Sequence, residues 1–114
     1  MSKHITITQA EGTWVVRAGG AVLGESSDAL ELVEGDMAPV IYFPRSDIGM
    51  AFLERTDHST HCPHKGDASY FSIMSKSTTY ENAAWSYEDP SEDVARIKDH
   101  LAFYQQDGVT VEQV

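Results

Sequence analysis

The segment Thr60-His61-Cys62-Pro63-His64-Lys65-Gly66-Asp67 brings together in one short stretch side chains that could do chemistry. It holds the only cysteine of the chain, flanked by two histidines, a lysine and a glycine turn. Cys62 could act as a nucleophile: Lys65 and a protonated His61 or His64 favour the thiolate, and Pro63 restricts the loop that carries it. The competing reading is packing, since a free cysteine is among the most buried residue types. Burial decides between the two. His58, His61, Cys62 and His64 also resemble a metal set, but four ligands in so short a loop converge tetrahedrally only with tight backbone folding, and the adjacent His61 and Cys62 project apart. No metal and no cofactor is therefore expected.

A second group follows Tyr42-Phe43-Pro44, where Arg45 and Asp47 stand at the end of an apolar run. Arg45 could fork onto a carboxylate or phosphate, with Lys65 adding a point charge. The alternative is an Arg45–Asp47 or Lys65–Asp67 ion pair that stiffens the loops. Tyr70, Phe71, Trp85 and Tyr87 are spaced as an aromatic face. Most such rings fill the space between sheets, and Tyr42 and Trp85 are the two expected on a pocket wall. Gly66 supplies a turn position needing positive φ or close approach.

The elements that must carry these residues are mainly strands. Ile5 and Ile7 alternate with Thr6 and Thr8, and Trp14, Val16 and Ala18 repeat the period after Glu11-Gly12. Ala18-Gly19-Gly20-Ala21 predicts a hairpin into Val22–Glu25. The period of Asp28–Val33 fits either a strand or a short helical turn. Pro39–Pro44 predicts a buried strand, after which Asp47 would cap a short helix through Ile48–Leu53. Ala68–Met74 and Thr79–Tyr87 predict paired strands, with Ala83, Trp85 and Tyr87 on one face. Ser91 opens a helical pattern with Val94, Ile97 and Leu101 on one stripe. Leu101–Tyr104 and Val109–Val111 then predict a closing strand pair around Asp107-Gly108. No repeat, linker or low-complexity tract interrupts the pattern.

The 114 residues allow one domain, 1–114, and the 41% apolar and 23% charged residues match a globular chain with a real core. A formal charge of −10 repels phosphate backbones and anionic membrane surfaces, which argues against nucleic acid and membranes as partners. One cysteine forms no internal disulfide, Met1–Thr6 lacks a signal-peptide core, and no apolar run reaches the roughly 18 residues of a membrane helix. A cytoplasmic location is expected. Exposed strand edges leave room for a homodimer.

Five separated motifs, Tyr42-Phe43-Pro44-Arg45-Ser46-Asp47, Thr60-His61-Cys62-Pro63-His64-Lys65-Gly66, Ala68-Ser69-Tyr70, Ala84-Trp85-Ser86-Tyr87 and Ala102-Phe103-Tyr104, resemble in order and spacing the DUF427 family of small bacterial proteins. The resemblance runs from about Val16 to Tyr104. It implies the β-tent or Mss4-like architecture, two antiparallel sheets meeting along one edge with one or two short helices. Some domain naming attaches a nucleotidyltransferase-like label, but this chain has neither a paired-aspartate metal motif nor a Gly-Ser entry loop. Relatives in the same architecture hold zinc with paired C-x-x-C knuckles, which a single cysteine cannot supply. Ser46 and His64 depart from the family pattern of an acidic and an aromatic residue.

The sequence thus predicts a small-ligand-binding module with its pocket near the Arg45–Asp47 corner and the Cys62–Lys65 loop. Tyr42, Arg45, Asp47, His64, Lys65 and Trp85 are the expected ligand contacts. The alternatives are an enzyme using catalytic Cys62 as nucleophile or redox thiol, and a protein-interaction domain.

Overall fold

A computed structural model describes residues 4–114; Met1–Lys3, the start of the stretch expected to lack a signal-peptide core, lie outside the described residues. Ten strands follow one another: β1 (Ile5–Gln9), β2 (Trp14–Ala18), β3 (Ala21–Ser26), β4 (Leu30–Glu34), β5 (Val40–Tyr42), β6 (Leu53–Cys62), β7 (Gly66–Met74), β8 (Thr79–Tyr87), β9 (Ala102–Phe103) and β10 (Val109–Gln113). They form three open antiparallel sheets ordered β1-β4-β5, β10-β2-β3 and β6-β7-β8-β9. The mainly β expectation holds, with the strands divided among three sheets where two are expected. Among the described residues the only helical segments are short 3₁₀ turns at Arg45–Asp47, Met50–Phe52 and Glu92–Ile97. Among the described residues no helix is long and apolar enough to cross a membrane.

Local sequence explains most of the strands. Gly19 and Gly20 both take positive φ, 58° and 86°, and close the β2–β3 hairpin as the paired glycines require. Asp28–Val33 resolves as β4, because Leu30 and Leu32 are buried on one side while β1 and β5 hydrogen-bond its two edges.

Three expectations about the helical segments are corrected. The short helix over Ile48–Leu53 does not form: Ile48 is extended and bridges Gly24, Gly49 donates its N–H to the Leu23 carbonyl at 2.7 Å, and only the turn Met50–Phe52 remains. Asp47 caps nothing and instead accepts the Ser26 hydroxyl at 2.6 Å. From Leu53 the chain becomes β6, a ten-residue strand whose LERTDHSTHC sequence is polar and mostly exposed, so it carries no apolar alternation to announce it. The helical stripe at Ser91 is a kinked 3₁₀ segment ending at Ile97, and Leu101 is buried from an extended stretch that bridges Phe43.

The closing strands also part company: β9 pairs with β8 and β10 with β2, so Asp107-Gly108 ends a small turn rather than a hairpin between long strands. The expected aromatic face splits as well. Tyr70 and Trp85 are register partners and share one face, while Phe71, one residue on, points to the other. Ala83 goes with Phe71, not with Trp85 and Tyr87, because the β7–β8 register shifts near Asn82, which has a φ of 51°.

Two apolar clusters result. One gathers Val16, Leu23, Phe43, Ile48, Phe71, Ile73, Leu101 and Phe103. The other gathers Leu30, Leu32, Tyr42, Tyr70, Tyr87, Val94 and Ile97, with Cys62 and Trp85 packed against it. The second cluster joins β4–β5 to β7–β8, and the candidate site opens along that junction.

Candidate functional site

A cavity of about 270 Å³ lies where β4 and β5 face β7 and β8. Leu32, Glu34, Val40 and Tyr42 line one side, and Lys65, Tyr70, Trp85 and Tyr87 the other, with Met37, Ala38 and Tyr104 completing the wall. Strand alternation selects these residues: Trp85 and Tyr87 are two apart on β8, Tyr42 is two from Val40 on β5, and Glu34 is two from Leu32 on β4.

The β6–β7 turn delivers Lys65. Cys62 accepts the Lys65 N–H through its carbonyl at 3.2 Å, and Gly66 takes a φ of 107° to re-enter the strand. The turn is docked on the segment before the last 3₁₀ turn: Ser91 donates its N–H to the Lys65 carbonyl at 3.1 Å and its hydroxyl to the His64 carbonyl at 2.8 Å. Held this way, the Lys65 ammonium donates to Glu34 Oε1 at 2.7 Å, with the two side chains only 13% and 11% exposed. The ammonium also lies 6.0 Å from the centre of the Tyr87 ring. An ion pair this enclosed persists because each charge satisfies the other.

Above the ion pair the wall is aromatic. Tyr42 and Trp85 meet edge to face at 88° with centroids 6.4 Å apart, and the Trp85 indole N–H donates to the Tyr42 hydroxyl at 3.3 Å. Tyr104 packs at 4.4 Å from Trp85, and its hydroxyl lies 3.3 Å from that of Tyr70. Burial pushes the Tyr42 hydroxyl up to about 12, opposed by the Trp85 bond and assisted by nearby Cys62 and Glu34. Burial also raises Tyr87 well above its ordinary range, with Tyr42 and Cys62 adding to the shift. Tyr104 is pushed up to about 12 by burial and then by its hydrogen bond with Tyr70. These three phenols stay neutral at physiological pH.

Of the residues singled out in the sequence, Tyr42, Lys65 and Trp85 come together on this cavity. Arg45 and Asp47 do not line it. Arg45 lies across the opposite face of β7 and β8, donating to the Asp99 carbonyl at 2.9 Å, the Ser86 hydroxyl at 3.0 Å and Glu88 at 3.2 Å. Arg55 shares Glu88, and both guanidiniums stack on the Phe71 ring at 5.6 and 5.1 Å. The Arg55 bond, reinforced by the charges of Arg55 and Arg45, holds the Glu88 carboxyl below its ordinary value against the opposing effect of burial. The expected Arg45–Asp47 and Lys65–Asp67 pairs are replaced by Arg45–Glu88 and Lys65–Glu34.

Cys62 is half-buried at the end of β6, does not line the cavity and packs against the Tyr42 and Tyr87 cluster. His61 is turned to Asp67, Nδ1 to Oδ1 at 2.7 Å, on an exposed surface. His64 contributes its carbonyl to Ser91 and does not line the cavity. His58 packs its ring on Tyr70 at 4.5 Å. Among the described residues no three His, Cys, Asp or Glu side chains converge as a metal site requires.

Sequence reasoning missed Glu34, Met37 and Tyr104 as lining residues. Glu34 was legible in part: it is the acidic residue closing an alternating strand just before Gly35, on the same face as Leu30 and Leu32. Met37 gave no such signal, since it comes from an irregular segment, while Tyr104 ends the Ala102-Phe103-Tyr104 motif and follows β9 directly. A second hollow of about 360 Å³ shares Val40, Trp85 and Tyr104 and is otherwise lined by residues such as Trp14, Ile41 and Phe103. It has no opposed charge pair.

No curated protein matches this chain. A family model described as a domain of unknown function, DUF427, matches residues 6–114 and so takes in every strand except the first residue of β1. The chain therefore belongs to the DUF427 family.

Proposed function

We propose that this domain is a small-ligand-binding module and that the cavity between β4–β5 and β7–β8 is its site. The observation that carries the reading is the enclosed Lys65–Glu34 pair under a roof of aromatic rings: apolar walls with a few convergent polar groups are what small-molecule sites have in common. A domain built only for stability gains little from such a pair, because apolar side chains of the same volume would serve as well or better. The resemblance to β-tent proteins, some of which bind ligands in aromatic-lined clefts, points the same way. The single free cysteine fits a reducing, cytoplasmic setting.

The enzyme reading through Cys62 has less support. Two of its candidate partners are engaged elsewhere, His61 with Asp67 and Lys65 with Glu34, and Cys62 packs against the Tyr42 and Tyr87 cluster without lining the cavity. The test is a crystallographic soak of a fragment library into the wild-type protein. Fragments collecting between Tyr42, Lys65 and Trp85 support the proposal. Fragments found only at the hollow beside Trp14, or nowhere, overturn it.

A further inference from the structure

The charge arithmetic inside the cavity narrows the class of ligand. Lys65 and Glu34 oppose each other at 2.7 Å, and Tyr42, Tyr87 and Tyr104 carry protonated hydroxyls, so among the described residues the lining carries one cation and one anion. A ligand of net charge would leave its water shell and meet no uncompensated partner. An anion bonding a spare Lys65 N–H would stand beside the Glu34 carboxylate, whose repulsion offsets the pairing. A cation is drawn by the ring faces and by the −10 field of the whole chain. Inside, it shares the cavity with the Lys65 ammonium, which already stands over Tyr87.

Shape and hydrogen bonding complete the argument. Tyr42 and Trp85 stand nearly perpendicular, and Tyr104 tilts 41° against Trp85, so ring edges and faces are both presented to an occupant. Flat rings pack well on both. The volume of about 270 Å³ is less than twice the roughly 150 Å³ cavity that takes a benzene ring, which limits the occupant to one or two rings. Of the three N–H groups on the Lys65 ammonium, one goes to Glu34, so donors remain for an acceptor on the ligand. We infer that the ligand is an electroneutral, planar ring compound of one or two rings carrying a hydrogen-bond acceptor at its edge, held against the aromatic wall with that acceptor on Lys65.

This inference rests on the proposed ligand site, and one set of probes separates the two. Benzamide, benzoate and benzyltrimethylammonium share a ring and differ in charge, and toluene keeps the ring without an acceptor. Each is titrated into the wild-type protein by calorimetry. Benzamide is expected to bind at least about tenfold more tightly than either charged probe and about fivefold more tightly than toluene. Benzoate or benzyltrimethylammonium matching or exceeding benzamide overturns the electroneutral class and leaves the site standing. Toluene equal to benzamide overturns the Lys65 contact. Binding by none of the four overturns the ligand site itself, and the inference falls with it.

Discussion

Replacing Glu34 by leucine leaves the Lys65 ammonium under the aromatic wall with no carboxylate to meet it. At 2.7 Å and an effective dielectric of about 20, the direct attraction is roughly 6 kcal/mol, most of it offset by the cost of taking both groups out of water. Breaking a fully buried pair costs about 3–5 kcal/mol. Here the side chains keep about one tenth of their exposure at an open cavity, so about 2–3 kcal/mol is expected for E34L. For 114 residues an unfolding entropy of about 2.1 cal/mol/K per residue converts this to a loss of roughly 8–12 °C in Tm. The assay is urea unfolding of wild type, E34L, K65M and the E34L/K65M double variant. The cycle cancels whatever else each side chain touches. The double variant should recover to within about 1 kcal/mol of wild type; with about 2–3 kcal/mol lost in each single variant, the coupling energy is at least about 3 kcal/mol. A coupling below about 0.5 kcal/mol, with the two single losses simply adding, refutes the ion pair as the organising feature of the cavity.

Three further outcomes are expected. Tyrosinate absorbance should show Tyr42 and Tyr104 ionising only near pH 12 and Tyr87 higher still; because the unfolded chain releases those protons near 10, stability is complete below pH 10 and falls as pH rises from there toward 12. If all five tyrosines ionise together near pH 10 in the folded protein, the burial argument fails. Gly66→Ala places a Cβ 3.3 Å from the Asp89 carbonyl at a φ of 107°, and should cost about 1–3 kcal/mol by denaturant unfolding; an unchanged midpoint would show that the turn holding Lys65 tolerates an ordinary residue. Glu88→Gln should cost about 1 kcal/mol at neutral pH, a figure reduced for solvent around the half-exposed Arg55. Since the Glu88 pKa is depressed, that stabilisation is present above its ordinary 4.5 and is lost as pH falls through the folded value, so the two proteins should converge in acid. A gap that persists in acid contradicts the assignment.

The strands whose apolar residues alternate were legible, and so was the paired-glycine hairpin, because period and turn chemistry are local properties. The strand β6 was not: its neighbours supply the pairing, and its own side chains face water for most of its length. The candidate site shows the same division. Lys65, Tyr42 and Trp85 stood out by type and by their place at a turn or on an alternating strand. Arg45 stood out equally but lies on the far side of β7–β8, because Ser86 and Phe71, which it contacts, are one residue out of phase with Trp85 and Tyr70. Glu34 and Lys65 are 31 residues apart, one on β4 and the other in the turn between β6 and β7 of a different sheet, and no local pattern announces a pair made by that packing.

The chain has two tryptophans, so an ¹⁵N-labelled sample gives two indole N–H signals. Trp85 lines the proposed cavity and bonds Tyr42, whereas Trp14 lines only the second hollow and bonds the Glu11 carbonyl at 3.0 Å. Benzamide, benzoate and benzyltrimethylammonium are added in turn. The account predicts a saturable shift of the Trp85 signal with at least one of them while the Trp14 signal stays in place. Both signals unmoved by every probe, or Trp14 moving alone or together with Trp85, would contradict it.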